Sequence, residues 1–252
     1  MKYFQTKEDL EFVLTENMKK TYEKHSHISK YVVGMMLEGS VWVENQLGKK
    51  EYFKNDIFMI PVHQVHALYI LNRATRIVSV CMGMNFMEQY SIKEKKTILT
   101  EYLTEIHRQE MISDRQKNML LNNLQTLFLR SGTGMLPYEN MEISHEIAQM
   151  KNIIVKMPEM ELNLEYLSER ICLNKYHLIR KFKKQVGLTP HKFLIQNRIR
   201  KSQRLLRSGW KVADVAAEMG FYDQSHFIKS FQRIVRVTPK EYVQSLRQLE
   251  RV

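Results

Sequence analysis

The side chains in this sequence that could do chemistry fall into two groups. The first is histidine. His25-x-His27 and His63-x-x-His66 stand within one stretch of the N-terminal third. Two histidines at i and i+2 on a strand project to one face. A third from a neighbouring strand could complete a three-nitrogen site for a transition metal. His25, His27 and His66 would be its ligands. Packing at the mouth of a barrel and an organic-ligand pocket are the other readings of the same residues. Met35 and Trp42 join the histidines in the candidate effector set, methionine being adaptable enough to line such a pocket. The second group lies on a helical stretch nearer the C-terminus. There Lys175, Tyr176, Ile179, Arg180 and Lys183 fall on the side opposite Leu178 and Phe182. An isoleucine beside a tyrosine and an arginine suits a thymine methyl or sugar contact.

Charge separates the two groups. Residues 1–130 hold 18 Lys/Arg against 15 Asp/Glu, a net +3, whereas residues 131–252 hold 21 against 12, a net +9. Arg170–Ala213 carries 13 Lys/Arg and no acid. A basic stretch of this density is the footprint of a polyanion partner. Membrane binding is disfavoured, because the cations share their helices with core positions. No run approaches the ~20 apolar residues of a membrane helix, and the charged N-terminus lacks a signal-peptide pattern. The two cysteines, Cys81 and Cys172, lie far apart and read as reduced thiols of a cytoplasmic protein.

A repeat positions the second group. Asn174–Leu194 and Asp223–Val243 superpose with a shift of 49 residues. His177 meets His226, Ile179 meets Ile228, Phe182 meets Phe231, Val186 meets Val235, and Thr189-Pro190 meets Thr238-Pro239. Each copy opens on a capping residue, runs about three turns and breaks at Thr-Pro, which suits the start of another helix. A short helix precedes each copy, Leu164–Ile171 capped by Asn163 and Val212–Met219 turned by Gly220, so each unit reads as a helix-turn-helix. Pro190–Arg207 joins them. Its 18 residues span about 27 Å, near the ~34 Å between successive major grooves on one face of the duplex.

The first group needs strands. From His25 onward the expected strands are Tyr31–Leu37, Val41–Val43, Lys50–Phe53, Ile57–Ile60, Val65–Leu71 and Arg76–Cys81, separated by turn signals. That spacing predicts a small barrel or double-sheet jelly roll. Met1–Lys24 reads as a short helix or strand. From Asn85 the period becomes helical, over Phe86–His107 and Asp114–Arg130. On the second of these, Met119, Leu120, Leu124, Leu127 and Phe128 form an apolar stripe. It either covers the barrel or pairs with a second copy. Ser131-Gly-Thr-Gly134 followed by Pro137 is the linker signal. The predicted domains are residues 1–130, for effector binding and dimerisation, a linker at 131–138, and a DNA-binding domain at 139–252.

At this point a resemblance enters. KVADVAAEMGFYDQSHFIKSFQRIVRVTPKEY, from Lys211, and NLEYLSERICLNKYHLIRKFKKQVGLTPHKFL, from Asn163, resemble the two helix-turn-helix units of the AraC/XylS family of bacterial transcription regulators. The resemblance covers about residues 140–246. It implies base contacts by Tyr176, Ile179 and Arg180 in the first unit and Gln224, Ser225 and Lys229 in the second. Phosphate contacts are expected from Lys175, Lys183, Lys184, Arg198, Lys201, Arg233 and Arg236. Arg236 stands where the family usually has glycine, as Gly187 does in the first copy, so strain in a left-handed cap is expected there. The pattern His25-x-His27, Gly39 and Pro61-x-x-x-x-His66 resembles the cupin fold. Tyr31 occupies the place where metal-binding cupins usually carry a glutamate.

The expected fold is therefore multidomain α+β: a cupin-like β-barrel with dimerisation helices, then an all-α domain of two helix-turn-helix units joined by a long helix. The expected function is sequence-specific transcription regulation, with no enzyme activity and no cofactor beyond a small-molecule effector. A bound transition metal is the less favoured alternative. Double-stranded DNA, the effector and a second copy through the 114–130 helix are the expected partners. RNA polymerase and an activating role follow by family analogy. The rivals are a metal-dependent cupin enzyme with a DNA-binding tail and a constitutive regulator whose barrel only dimerises.

Overall fold

The computed structural model describes residues 1–16, 20–27, 30–62, 64–72, 74–131, 143–160, 163–170 and 174–248. Of the expected linker only Ser131 falls within them, as the end of a helix. The chain forms two compact units: Met1–Thr21, Ser29–Glu139 and Ser245–Val252 make the first, and Tyr22–Ile28 with Asn140–Gln244 make the second. A single cut near residue 131 therefore does not describe them. Short segments from each end of the chain cross that division.

Strands come first: β1 (Lys2–Gln5), β2 (Leu10–Glu16), β3 (Lys20–His25), β4 (Lys30–Glu38), β5 (Ser40–Asn45), β6 (Gly48–Phe53), β7 (Ile57–Ile60), β8 (His66–Ile70) and β9 (Arg76–Gly83). Helices follow: α1 (Met84–Gln89), α2 (Ile92–Arg108), α3 (Asp114–Ser131), α4 (His145–Lys156), α5 (Leu164–Arg170), α6 (Lys175–Val186), α7 (Pro190–Arg207), α8 (Val212–Glu218), α9 (Gln224–Val235) and α10 (Pro239–Ser245). A last strand, β10 (Leu246–Gln248), ends the described chain.

The strands make two sheets, ordered β10-β1-β2-β9-β4-β7 and β3-β8-β5-β6. Of the two forms that the strand spacing suggested, a small barrel or a double-sheet jelly roll, the closed barrel does not form. In β5 the pleat is read directly from sequence: Val41 and Val43 are buried while Trp42 and Glu44 are not. In β2 no alternation of burial is visible, because Leu10 to Thr15 are all buried. Leu10, Phe12 and Leu14 join one core with Val33, Met35, Val78, Val80 and Met82. Glu11, on the other face, is held by Lys30 at 2.8 Å. Leu10, Phe12 and Leu14 alternate with Glu11, Val13 and Thr15 in sequence, yet both faces of the strand are covered.

Helices α2 and α3 complete that core. Leu99, Tyr102 and Leu103 of α2 and Leu120, Leu124, Leu127 and Phe128 of α3 belong to the same cluster. The stripe expected to pair two copies is therefore covered by this unit's own sheet and helix. Burying each such side chain contributes roughly 1.5–3 kcal/mol. The single helix expected over Phe86–His107 breaks at Tyr90. Ser91 opens α2 with a capping box, its hydroxyl accepting from the Glu94 amide while the Glu94 carboxylate accepts from the Ser91 amide at 2.8 Å.

In the second unit α7 is the hub, touching α4, α6, α8 and α9. Phe193, Leu194, Ile195, Ile199 and Leu206 of α7 are buried. The first helix-turn-helix seats Leu178, Phe182 and Val186 beside it, with the Phe182 and Phe193 rings 5.7 Å apart. The second seats Phe227, Phe231 and Val235. Its rings run in series, Phe221 to Phe227 at 5.2 Å, Phe227 to Phe231 at 5.7 Å and Phe231 to Tyr242 at 5.6 Å. Among the described residues no helix is long and apolar enough to cross a membrane.

Candidate nucleic-acid interface

Each recognition helix is built by its caps. At α6 the Asn174 side chain accepts from the Tyr176 amide at 2.9 Å, and Gly187 closes the helix at φ 83° with its amide donating to the Lys183 carbonyl. At α9 the Asp223 carboxylate accepts from the His226 amide at 2.6 Å, and Arg236 closes the helix at φ 72°. The left-handed cap expected at Arg236 is thus present without a glycine. Thr189 and Thr238 then cap α7 and α10, each accepting from the amide three residues on, at 3.3 and 3.2 Å.

These caps fix which side chains look outward. Tyr176 is 71% exposed, Arg180 is exposed and Ile179 is half-buried at the edge of the core. On α9 Gln224, Ser225 and Lys229 are exposed. All six expected base-reading residues thus lie on the two recognition helices, five of them exposed. Lys183, Lys184 and Arg233 are exposed as well. The remaining expected phosphate contacts behave differently. Lys175 is paired with Glu165 of α5, which raises its pKa and lowers that of the carboxylate. Lys201 holds Glu159 at 2.7 Å. Both pairs are partly exposed, a setting in which an ion pair contributes little and a phosphate can compete.

Arg198 departs from expectation altogether. It is only 8% exposed, and its guanidinium donates to the carbonyls of Pro158 at 2.8 Å, Gly220, Met160 at 3.3 Å and Glu159 at 3.5 Å. A group so enclosed is not available to a phosphate. Arg236 is half-buried with its guanidinium 5.3 Å above the Tyr22 ring. Burial pulls its pKa down, with Tyr22 and Glu23 acting the other way. One exposed aromatic was missed. Tyr222 is 93% exposed immediately before the α9 cap, and its only signal was an aromatic at the position preceding a capping aspartate.

The expected effector residues are distributed over both units. Met35 is fully buried in the core with α2 and α3. Trp42 lies on the outward face of β5, opposite Tyr69, with Lys49 Nζ 4.8 Å from its ring. His63 lies outside the described residues. His66 is buried in the first unit, where its Nδ1 donates to the Gln64 carbonyl at 2.9 Å. His25 and His27 belong to the second unit, with rings edge to face at 5.3 Å. The segment that carries them is fastened to α7. Buried Gln196 donates to the Lys24 carbonyl at 3.1 Å and accepts from the Ser26 amide at 3.1 Å. Arg200 reaches His27 Nδ1 at 3.3 Å. Beside this clamp lies a cleft whose lining includes Tyr22, Lys24, Lys192, Ile195, Arg233 and Arg236.

A family model described as a helix-turn-helix domain matches residues 167–245. The HTH-type transcriptional regulator MtrA of Neisseria gonorrhoeae is 36% identical over 90 residues, 35% of this chain and 30% of that protein. The HTH-type transcriptional regulator YbfI of Bacillus subtilis is 26% identical over 227 residues, 81% of each chain. Among solved structures, ToxT from Vibrio cholerae O395 shares the fold, with TM-score 0.61 and 16% identity over 95% of this chain and 98% of that one. With two capped helix-turn-helix units mounted on one linking helix and these likenesses, residues 167–245 form a helix-turn-helix domain of the AraC type, and the chain is similar to HTH-type transcriptional regulators.

Proposed function

We propose that this protein reads a two-part DNA site, one part with each recognition helix, and that a small anionic molecule modulates the binding. The observation that carries the reading is the pair of capped helices, α6 and α9, presenting different exposed polar faces beside a stretch with no acidic residue. Tyr176, Ile179 and Arg180 face one half-element; Gln224, Ser225 and Lys229 face the other. Lys183, Lys184 and Arg233 hold phosphates, and Lys175 and Lys201 join them by exchanging a carboxylate for a phosphate. Because the two faces differ, the two half-elements differ in sequence.

Gel shifts against the selected site and against random duplex test the assignment. Arg180→Ala weakens the specific complex by ~1–3 kcal/mol for the lost base contact and leaves random DNA nearly unchanged. Lys183→Ala weakens both alike and lowers the salt slope by about 1. Equal losses on both probes for Arg180→Ala would remove it from the base-reading set.

The effector site we place in the cleft beside Gln196. Lys24, Lys192, Arg233 and Arg236 give it a positive lining, while Tyr22 and Ile195 give it apolar wall. That combination suits a carboxylate on an apolar body. One ToxT structure holds an unsaturated fatty acid, a ligand of that class in that protein. The cupin-like reading of the sheets, a location in the cytoplasm, RNA polymerase as a further partner and an activating role belong to the same proposal. So does pairing of two copies through α3, which now rests on its outer face, where Asn122 and Leu129 are exposed.

A further inference from the structure

Arg198 has no place in the proposed DNA contacts, yet its guanidinium is bonded to four main-chain carbonyls. These carbonyls come from two places. Pro158, Glu159 and Met160 follow α4 and lead into the first helix-turn-helix. Gly220 makes the turn between the helices of the second. The Phe221 ring lies 5.7 Å from the guanidinium. Gly220 is shaped to the same junction. Its φ is +66°, and a Cβ there would stand 2.6 Å from the Glu159 carbonyl oxygen and 3.1 Å from Arg198 Nη2. One turn further along α7, Lys201 holds the Glu159 side chain.

Burying a guanidinium is costly unless its donors are satisfied, and an apolar side chain of similar volume would often serve stability as well. What an apolar side chain lacks is direction. The planar fork of arginine fixes the angle between the groups that accept from it. Here those groups belong to the two halves that must grip one duplex. We infer that Arg198 is a positioning residue. It sets the separation and relative angle of α6 and α9, and through them the spacing of the two half-elements. This rests on the proposal that both helices bind DNA.

The test is selection from a library of random duplexes using the full chain as wild type, Arg198→Met, Arg198→Lys and Gly220→Ala. Thermal melts by circular dichroism confirm that each is folded. The wild type should enrich two half-elements at one spacing. The variants should enrich the same half-elements over a spread of spacings. In direct binding, inserting one base pair between the half-elements should weaken the wild type about tenfold or more, and Arg198→Lys by less than about threefold. A residue that only stabilised the fold would lower affinity equally at every spacing, and that result overturns the inference. So does an unchanged single spacing in the variants. If Arg198→Met does not fold, Arg198→Lys decides, since it keeps charge and reach but not the fork. A wild type that enriches one half-element, or none, refutes the two-helix reading before any variant is scored, and the inference falls with it.

Discussion

Replacing Arg236 by glycine sets two effects of similar size against each other. Arg236 sits at φ 72° and ψ 3°. A left-handed conformation costs a non-glycine residue ~1–2 kcal/mol, and Arg236→Gly removes that strain. Glycine in turn loses about 0.5–1 kcal/mol more backbone entropy on folding. The substitution also removes the half-buried cation from the Tyr22 ring, 5.3 Å away, a contact of about 0.5–2 kcal/mol. The gain and the two losses nearly cancel, so Arg236→Gly alone should shift stability by no more than ~1 kcal/mol, toward destabilisation. The diagnostic quantity is the coupling. With Tyr22→Leu already in place the ring contact is absent, and Arg236→Gly should then stabilise by up to ~1 kcal/mol. The assay is urea unfolding followed by Trp210 fluorescence in a Trp42→Phe background, because Trp210 is the other of the chain's two tryptophans and belongs to the second unit. A coupling below roughly 0.3 kcal/mol between positions 22 and 236 would refute the pairing of ring and cation. Destabilisation by Arg236→Gly in the Tyr22→Leu background would refute the strain.

Two further outcomes follow from the described contacts. Glu146 sits in the first turn of α4 with its pKa lowered to about 2, by its own backbone amide first and then by Ser144 and Lys181. A folded pKa below the ordinary carboxylate value means that its stabilisation is present above pH 4.5 and is lost as pH falls toward about 2. Glu146→Gln should lower the urea midpoint at pH 7 and lose that difference near pH 2; a gap that persists in acid would contradict the assignment. Leu124 is 1% exposed in the core between sheet and helices, so Leu124→Ala should cost about 2–5 kcal/mol in urea unfolding. A cost under about 1 kcal/mol would mean that α3 is not packed there as described.

The recognition helices were legible because everything that defines them is local. Asn174, Asp223, Thr189 and Thr238 cap within three residues, and the apolar positions recur at helical period. The capping box at Ser91 and Glu94 was equally local and simply unread. Arg198 was misread because its role depends on carbonyls some 22 to 40 positions away. Sequence shows its charge and not its burial. The sheets were half legible. The pleat of β5 alternates in burial, whereas β2 is covered on both faces and its burial does not follow its sequence alternation. Met35 and Trp42 were grouped with the histidines as candidate pocket lining, although they lie in different sheets. The apolar stripe of α3 was found correctly, but a stripe alone does not say whether its partner is the same chain or another.

Each compact unit is assembled from pieces made at very different times. Gln196 is closed by Lys24 and Ser26, residues 172 and 170 positions earlier. Strand β10 lies parallel to β1, with Leu246 beside Tyr3. At about 5–20 residues added per second, the early pieces wait roughly 9–50 s for their partners. During that interval the Lys24 carbonyl and the Ser26 amide lack the Gln196 side chain, and β1 presents an uncovered edge to anything else the ribosome has produced. The two closures come about 50 residues apart, and a nascent chain halted before residue 196 holds neither unit in finished form.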